Sequence, residues 1–200
     1  MVLANLKPWG YEYILYENVN VAVWCLTIMP GQETSFHSHP NKKTGLVVLD
    51  GAAKVSFLSN DQKLFAGEKI MIRHGVFHKT KNMCGVPLTL LEIETPVNKE
   101  DIVRLKDKYG RAGTPYGGET TKEIEGLRLD AKIGFCELRF GSEGTGDIFL
   151  LTGGKIVSVQ NGFIHEVCGP GDVLSWDNLE KLRENFECNN LEGIFVTCKL

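Results

Sequence analysis

Two stretches of this 200-residue chain repeat each other at an offset of 102 to 104 residues. Residues 46–57 are echoed by residues 148–159, and the turn 66–70 is echoed by 170–174. An internal repeat near half the chain length indicates two copies of one structural unit. Chance similarity between glycine-rich hairpins is the alternative interpretation.

The repeated unit has the pattern of a β-structure. Short runs rich in β-branched and aromatic residues recur at close spacing, bounded by Gly, Asn and Asp, and they are 21–28, 45–49, 53–58, 69–72 and 88–93. Such spacing is typical of a sandwich or barrel. The 22 glycines favour strands and turns over helices. The sequence therefore predicts an all-β fold.

One helix is expected after the first set of strands, over residues 99–108. Asn98 provides a capping side chain, Asp101 follows three residues later, and Ile102 and Leu105 repeat at helical spacing. A Gly- and Pro-containing stretch then predicts a linker. The expected organisation is a first barrel at 1–111, a linker at 112–122 and a second unit at 123–200.

Charge and hydropathy exclude some function classes. The net charge is −3 and the basic residues form no stripe, so no nucleic-acid partner is expected. No apolar run approaches the roughly 18 residues of a membrane helix. The N-terminus lacks the basic-then-apolar order of a signal peptide. We expect a cytoplasmic protein with no membrane partner.

Three histidines carry the chemistry in the first unit. His37 and His39 are two residues apart, which places both imidazoles on one face of a strand. His78, from a distant strand, would complete one face of a divalent metal site, because neutral imidazole is a common metal ligand. A His-x-His pair alone is as often two exposed strand histidines.

The wider pattern is more specific, and it resembles the two cupin motifs. The matching positions are Gly31, His37, His39, Gly51, Gly67, Gly75, His78 and Asn82. The resemblance implies two jelly-roll (double-stranded β-helix) barrels in tandem, the first with one divalent metal ion on His37, His39 and His78. Thr44 stands where the motif has a metal-binding Glu, and Arg73 where it has Pro. Water or substrate would fill the fourth position, unless the change marks a lost metal site.

A narrower resemblance covers residues 7–111. Residues 7–12, 91–95 and 100–111 are similar to the start and end of the cupin unit of type II phosphomannose isomerases. Those enzymes interconvert the aldose and ketose forms of a sugar phosphate, which implies a small carbohydrate substrate. The counterparts of both motifs in the second half contain no His, so a degenerate second cupin without metal ligands is expected.

Isomerisation needs a general base beside a carbonyl carbon and an electrophile on the sugar oxygens. Glu92 and Glu94 share one face of the last strand of the first unit, where burial would raise the pKa of a carboxyl group. The alternative is that both point to solvent. His74 is a further acid–base candidate at the expected barrel mouth, although a turn histidine without a role is the favoured interpretation.

Substrate binding is assigned to three residues near the motif. Arg73 lies two residues before Gly75 at the expected barrel mouth, and Thr44 and the neighbouring Lys43 lie at the altered ligand position. The metal would be Zn, Fe, Mn, Co or Ni, which three imidazoles all accept. A homodimer is expected only because exposed strand edges are often closed by dimerisation.

Two other functions stay open at this point. A three-His site without a carboxylate also resembles the iron centre of cupin dioxygenases. A cupin that has lost its metal chemistry together with the Glu would be a non-catalytic sugar-binding module.

Overall fold

We describe the chain from a computed structural model, which describes residues 1–114, 120–127, 129, 131–138 and 146–198. The strands of the first half are β1 (Val2–Lys7), β2 (Gly10–Glu17), β3 (Ala22–Ile28), β4 (Phe36–Ser38), β5 (Lys43–Asp50), β6 (Ala52–Ser56), β7 (Asp61–Phe65), β8 (Lys69–Ile72), β9 (Lys79–Asn82), β10 (Leu88–Thr95) and β11 (Val103–Lys106). Each of the five predicted runs coincides with a strand, although Val21, Phe57 and Leu58 lie just outside β3 and β6.

The second half continues the β-structure. Its elements are β12 (Thr121–Ile124), β13 (Lys132–Leu138), β14 (Ile148–Gln160), β15 (Phe163–Cys168), β16 (Val173–Ser175), the helix α1 (Trp176–Asn185) and β17 (Glu187–Thr197). The all-β prediction is thus confirmed. Among the described residues, no helix has the length and hydrophobicity that membrane crossing requires.

A large antiparallel sheet in the order β12-β1-β2-β3-β10-β5-β8 forms the back of the first unit. The sheet β7-β6-β9 and the pair β11-β4 face it. A β-bridge between His37 and His78 joins β4 to the start of β9. The space between the two layers is an apolar core, and the candidate site lies in the same space.

Alternation along the strands decides which side chains enter this space. On β10, Leu88 and Leu90 pack in the core inside the barrel, whereas Leu91 and Ile93 pack on the outer face of the sheet. The outer face is buried too, because it packs against side chains such as Leu150 and Ile194 of the second unit. Burial on both faces explains why β10 has almost no exposed position.

The second unit is built on a sheet in the order β13-β17-β14-β15, with β16 paired to β14. Its turn before β16 has the same backbone hydrogen bonds as the turn before β8. Gly67 N donates to Val48 O over 2.9 Å, and Gly171 N donates to Leu151 O over 2.8 Å. The repeated turn supports the predicted duplication, while the tandem arrangement of two cupins stays a prediction.

The helix predicted at 99–108 is wrong. Residues 103–106 form β11, which pairs with β4. Asn98 Oδ1 accepts a local bond from Glu100 N, and the Asp101 carboxylate accepts bonds from the backbone N–H groups of Asn41 and Lys42. Asn98 and Asp101 thus form hydrogen bonds within the loop and to the segment before β5, and the chain continues in an extended conformation.

Within the described residues the helix is instead α1, between β16 and β17. Its side chains Leu179 and Trp176 pack in the core of the second unit. Part of the predicted linker, residues 115–119, lies outside the described residues. Residues 121–124, at the predicted boundary, pair with β1 and extend the first sheet, so the division at 112–122 stays a prediction.

Candidate metal centre

Three histidines meet inside the first barrel. His37 lies on β4, His39 follows that strand directly, and His78 immediately precedes β9. His37 and His78 exchange both backbone hydrogen bonds, at 3.0 and 2.7 Å. The ring centroid of His37 lies 4.8 Å from that of His39 and 4.5 Å from that of His78. All three side chains are buried, and their ligand nitrogens lie within 4.8 Å of one another.

The main chain selects one tautomer for each imidazole. The Nδ1 atoms of His37, His39 and His78 lie 2.8, 2.6 and 3.0 Å from the carbonyl oxygens of residues 35, 101 and 76. A carbonyl only accepts, so each Nδ1 carries the proton and each Nε2 keeps a lone pair. Metal-binding histidines are usually oriented by such a bond. The donor set therefore fits a divalent metal ion.

The electrostatics of the cluster favour neutral imidazoles. Burial, followed by repulsion from the other two histidines, holds the pKa of His37 well below its usual range. Burial lowers the pKa of His78 to about 4. Burial and the nearby Lys42 ammonium lower the pKa of His39. Neutral imidazole is the form that binds a metal.

Two carboxyl groups from β10 adjoin the histidines. Glu92 and Glu94 share the inward face with Leu88 and Leu90, and both line the same pocket. Glu94 Oε1 lies 4.0 Å from His39 Nε2. Burial, and then the neighbouring Glu94, raise the pKa of Glu92 to about 7. The site thus combines three imidazoles with two acidic groups of different environments.

A buried lysine completes this group, and the sequence reasoning did not single it out. Lys42 is 1% exposed, and its Nζ lies 2.6 Å from Glu94 Oε1. Its backbone N–H donates to the Asp101 carboxylate. Lys42 and Thr44 are two residues apart, so the alternation that was applied to the histidines would have placed Lys42 inward as well.

Further charged side chains line the pocket from β1, β2 and the segment after β10, and sequence reasoning did not single them out. Glu12 Oε1 lies 3.4 Å from Lys7 Nζ and 3.0 Å from Lys99 Nζ. The Lys99 ammonium also lies over the Trp24 ring, 3.5 Å from its centroid. Burial opposes the charge of Lys99, but Glu12 and the two β10 carboxylates raise its pKa. Glu12 ends the 7–12 segment that resembles phosphomannose isomerases, but nothing in that segment indicates that its side chain enters the pocket.

Not every predicted residue lies at this site. Thr44 is buried and lies on the inward face of β5. Lys43 points to the other face, where its Nζ lies 2.7 Å from Asp172 Oδ1 of the second unit. Arg73 and His74 are exposed in the turn after β8 and do not line the pocket. The expectation that Lys43, Arg73 and His74 face this pocket is therefore corrected, because strand alternation and an outward turn direct them away.

Comparison with known proteins places the first half in a carbohydrate-enzyme family. The family model "mannose-6-phosphate isomerase C-terminal" matches residues 3–107. Mannose-1-phosphate guanylyltransferase of Escherichia coli K12 is 31% identical over 107 residues, which are 52% of this chain and 22% of that enzyme. The xanthan biosynthesis protein XanB of Xanthomonas campestris is 30% identical over 107 residues, which are 52% and 23%. The chain thus spans about a fifth of the length of these relatives.

Solved structures with partial similarity include a sugar phosphate isomerase from a cupin superfamily of Silicibacter pomeroyi. It is 18% identical, has a TM-score of 0.41, and the match covers 44% of this chain and 59% of that one. Oxalate decarboxylase of Lactobacillus farciminis is 21% identical with a TM-score of 0.46, over 51% and 33% of the two chains. The family match covers more than half of this chain and agrees with the motifs and the barrel around them. The chain belongs to the mannose-6-phosphate isomerase C-terminal family, and its first half is a cupin-type unit that resembles type II phosphomannose isomerases.

Proposed function

We propose that the first barrel is a metal-dependent aldose–ketose isomerase acting on a sugar phosphate, such as mannose 6-phosphate. The observation that carries the proposal is the position of Glu92, a partly buried side chain whose carboxyl pKa is raised to about 7, in the pocket of the three imidazoles. The family match and the sugar-related relatives support a carbohydrate substrate. The metal would be held by Nε2 of His37, His39 and His78.

Glu92 has the properties of a general base for this reaction. A base is most effective when its pKa lies near the working pH, because a useful fraction is then ionised and the proton is readily returned. Burial in the barrel provides that pKa. Glu92 would take the proton from the carbon next to the carbonyl and return it to the neighbouring carbon.

The bound ion would supply Lewis acidity towards the carbonyl and hydroxyl oxygens of the sugar. The main-chain carbonyls of residues 35, 101 and 76 keep the three imidazoles unprotonated at Nε2. The apolar side chains Leu26, Leu46 and Trp9 also line the pocket and would exclude water from the reacting carbons.

Positive charge in the same pocket suits a phosphate group. The cationic side chains that line it are Lys7, Lys42, Lys99, Arg104 and Arg111. Arg104 lies on β11 opposite His37, so its position follows from the strand that replaces the expected helix. These cations support a substrate with an anionic group over a neutral sugar.

The test is a turnover assay with mannose 6-phosphate, following formation of the ketose phosphate by protein loaded with Zn, Mn, Co, Fe or Ni in turn. Glu92→Gln should lower kcat by about 10²- to 10⁴-fold, since it removes the general base. His78→Ala should abolish activity together with bound metal. His74→Ala is the matched control, because this exposed histidine lies outside the pocket.

Other results would support the alternative functions. Oxygen consumption by the iron-loaded protein, without isomerisation, would indicate a three-His dioxygenase. Tight binding of a sugar phosphate or nucleotide sugar without turnover or bound metal would indicate a non-catalytic module. Either outcome would overturn the isomerase proposal.

A further inference from the structure

The acidic position of the first cupin motif is occupied by Thr44, whose hydroxyl is a poor metal ligand. A carboxylate lies directly across the strand pair from it, because Glu94 on β10 is the register partner of Thr44 on β5. We infer that Glu94 is the carboxylate ligand of the three-His centre, supplied from the neighbouring strand in place of the motif position. This inference rests on the proposed metal site.

The register of β5 and β10 explains how a carboxylate from β10 can reach the position that the motif assigns to a residue of β5. Directly opposed residues of an antiparallel pair have Cβ atoms about 4.5–5.5 Å apart and project to the same face. Thr44 and Glu94 both project to the inward face, with Leu46 and Leu90. A Glu side chain is long enough to bring its carboxylate from position 94 to the space that a Glu at position 44 would use.

Distances favour Glu94 as the ligand. Its Oε1 lies 4.0 Å from His39 Nε2, and an ion between these atoms at about 2.0–2.2 Å from each would contact both. Glu92 and Glu94 form a group with His39 in which the ligand atoms lie within 4.8 Å of one another, but Glu92 is the register partner of Leu46 and Trp24 and not of Thr44. Glu92 is therefore left for proton transfer.

An unpartnered atom points to the same place. His39 Nε2 is buried and has no hydrogen-bond partner among the described residues, and the side chain is only 6% exposed. The Thr44 hydroxyl is also buried without a partner there. Buried polar atoms without a partner are rare in folded proteins, and an ion or a water usually satisfies them. A metal ion between His39 and Glu94 would satisfy the imidazole.

Lys42 acts as the positioning residue for Glu94. Its ammonium lies 2.6 Å from Glu94 Oε1, and both side chains are almost fully buried. A carboxylate has several lone-pair sites, so it can accept from the ammonium and bind a metal ion at the same time. The alternative is that Lys42 and Glu94 form only a structural ion pair, and the two interpretations predict different metal affinities.

The experiment measures Co²⁺ and Zn²⁺ affinity of the full chain by competition with a chromophoric chelator, and records the visible absorption of the Co²⁺ form. Glu94→Gln should weaken binding by at least about tenfold and change the Co²⁺ spectrum, since it replaces a ligand. Glu12→Gln is the matched control, because it removes a carboxylate that lines the same pocket from β2, two strands away from β10. Its affinity and spectrum should equal those of the wild type.

The decisive variant returns the carboxylate to the motif position. The double variant Thr44→Glu with Glu94→Thr should bind the metal ion with an affinity within about threefold of the wild type. This loss is smaller than the loss of about tenfold or more that is expected for Glu94→Gln. If Glu94→Gln alone fails to fold, Lys42→Gln with Glu94→Gln removes both buried charges and still lacks the ligand, so it should bind weakly.

The outcomes separate this inference from the proposed function. No binding by the wild type, or no loss in His78→Ala, would overturn the three-His centre itself. The role of Glu94 alone would be overturned if the protein binds one ion per chain, this binding depends on His78, and the affinity of Glu94→Gln equals that of the wild type. Wild-type affinity in the variant that combines Lys42→Gln with Glu94→Gln would have the same meaning.

Discussion

At the residue scale, the candidate centre is organised by the main chain more than by other side chains. Each imidazole donates its Nδ1 proton to a carbonyl of the barrel, and burial keeps the rings neutral. This arrangement lowers the stability of the fold at low pH, because the histidines of an unfolded chain bind protons that the buried histidines of the folded centre do not bind. The stability of the metal-free protein should therefore depend on pH.

The metal-free protein should lose stability as the pH falls from 7 to 5. The folded-state pKa values of His37, His39 and His78 lie below the unfolded value near 6.5, so the unfolded state binds more protons in this range. Each histidine that stays neutral costs about 2 kcal/mol by pH 5. Glu92 opposes the trend, since its pKa is raised to about 7 and protonation stabilises the folded state. Three imidazoles should outweigh one carboxyl group.

Chemical denaturation in the presence of a chelator measures this free energy at pH 7 and pH 5. Glu92→Gln removes the opposing group, so the loss should be larger in that variant. His74→Gln is the control for an exposed histidine and should keep the wild-type pH dependence. Equal stability of the wild type at both pH values would contradict the prediction.

At the element scale, the strands and the inward face were predictable, because period-two alternation and strand-bounding glycines are local signals. The same alternation, applied to Lys42, would have found the partner of Glu94. The 99–108 segment was not predictable, because Asp101 and Asn98 have the chemistry of helix caps. Only the tertiary structure shows that Asp101 binds the backbone of residues 41 and 42.

Helix α1 was missed for a related reason. The segment lies where the second unit has its counterpart of the second cupin motif, yet Trp176, Leu179 and Leu182 recur at helical spacing. The acidic first turn with Asp177 and the basic last turn with Arg183 were available signals. Glu12 belongs to the 7–12 segment that resembles the family, but its place in the pocket had no local signal, since that environment is created by strands distant in sequence.

Asp101→Ala tests whether the loop before β11 supports the centre. The carboxylate accepts bonds from Asn41 and Lys42, which hold its pKa below the ordinary range against the opposing effect of burial. Its backbone carbonyl orients His39. We expect a loss of about 2–4 kcal/mol in unfolding free energy, and metal binding about tenfold weaker.

The comparison for this variant is Glu100→Ala, which changes the adjacent, exposed residue. Denaturation and chelator competition should show it close to the wild type. Wild-type metal affinity in Asp101→Ala would show that the loop does not position His39.

At the scale of the whole molecule, the two units share one core. The outer face of the first sheet, with Val47, Leu91 and Ile93, packs against Ile148, Leu150 and Ile194 of the second unit. A shared core of this kind couples the folding of the two halves. The metal centre in the first barrel therefore depends on residues more than a hundred positions away in the sequence.

Leu150→Ala should destabilise the protein by about 2–5 kcal/mol, because it empties a fully buried position between the units. It should also lower the temperature of metal release, although residue 150 touches no part of the site. Thermal unfolding and metal release, followed together, should coincide in one transition.

Phe163→Ala, at a position 70% exposed, is the control and should change stability by less than about 0.5 kcal/mol. Separate transitions for unfolding and metal release would contradict the shared core.

The two units approach each other closely at Gly45 on β5. A Cβ atom there would lie 2.5 Å from Val173 Cγ2 and 2.7 Å from Ile93 Cγ2, so Gly45→Ala should cost about 1–3 kcal/mol through overpacking. Val173→Ala removes one of these methyl groups, and the penalty of Gly45→Ala should then be smaller in that background. A double-mutant cycle on the free energy of unfolding measures this coupling, which should favour the double variant by at least about 0.5 kcal/mol. Additive penalties would mean that β5 and β16 are not in direct contact, and that the second unit supports the first barrel only through the rest of the shared core.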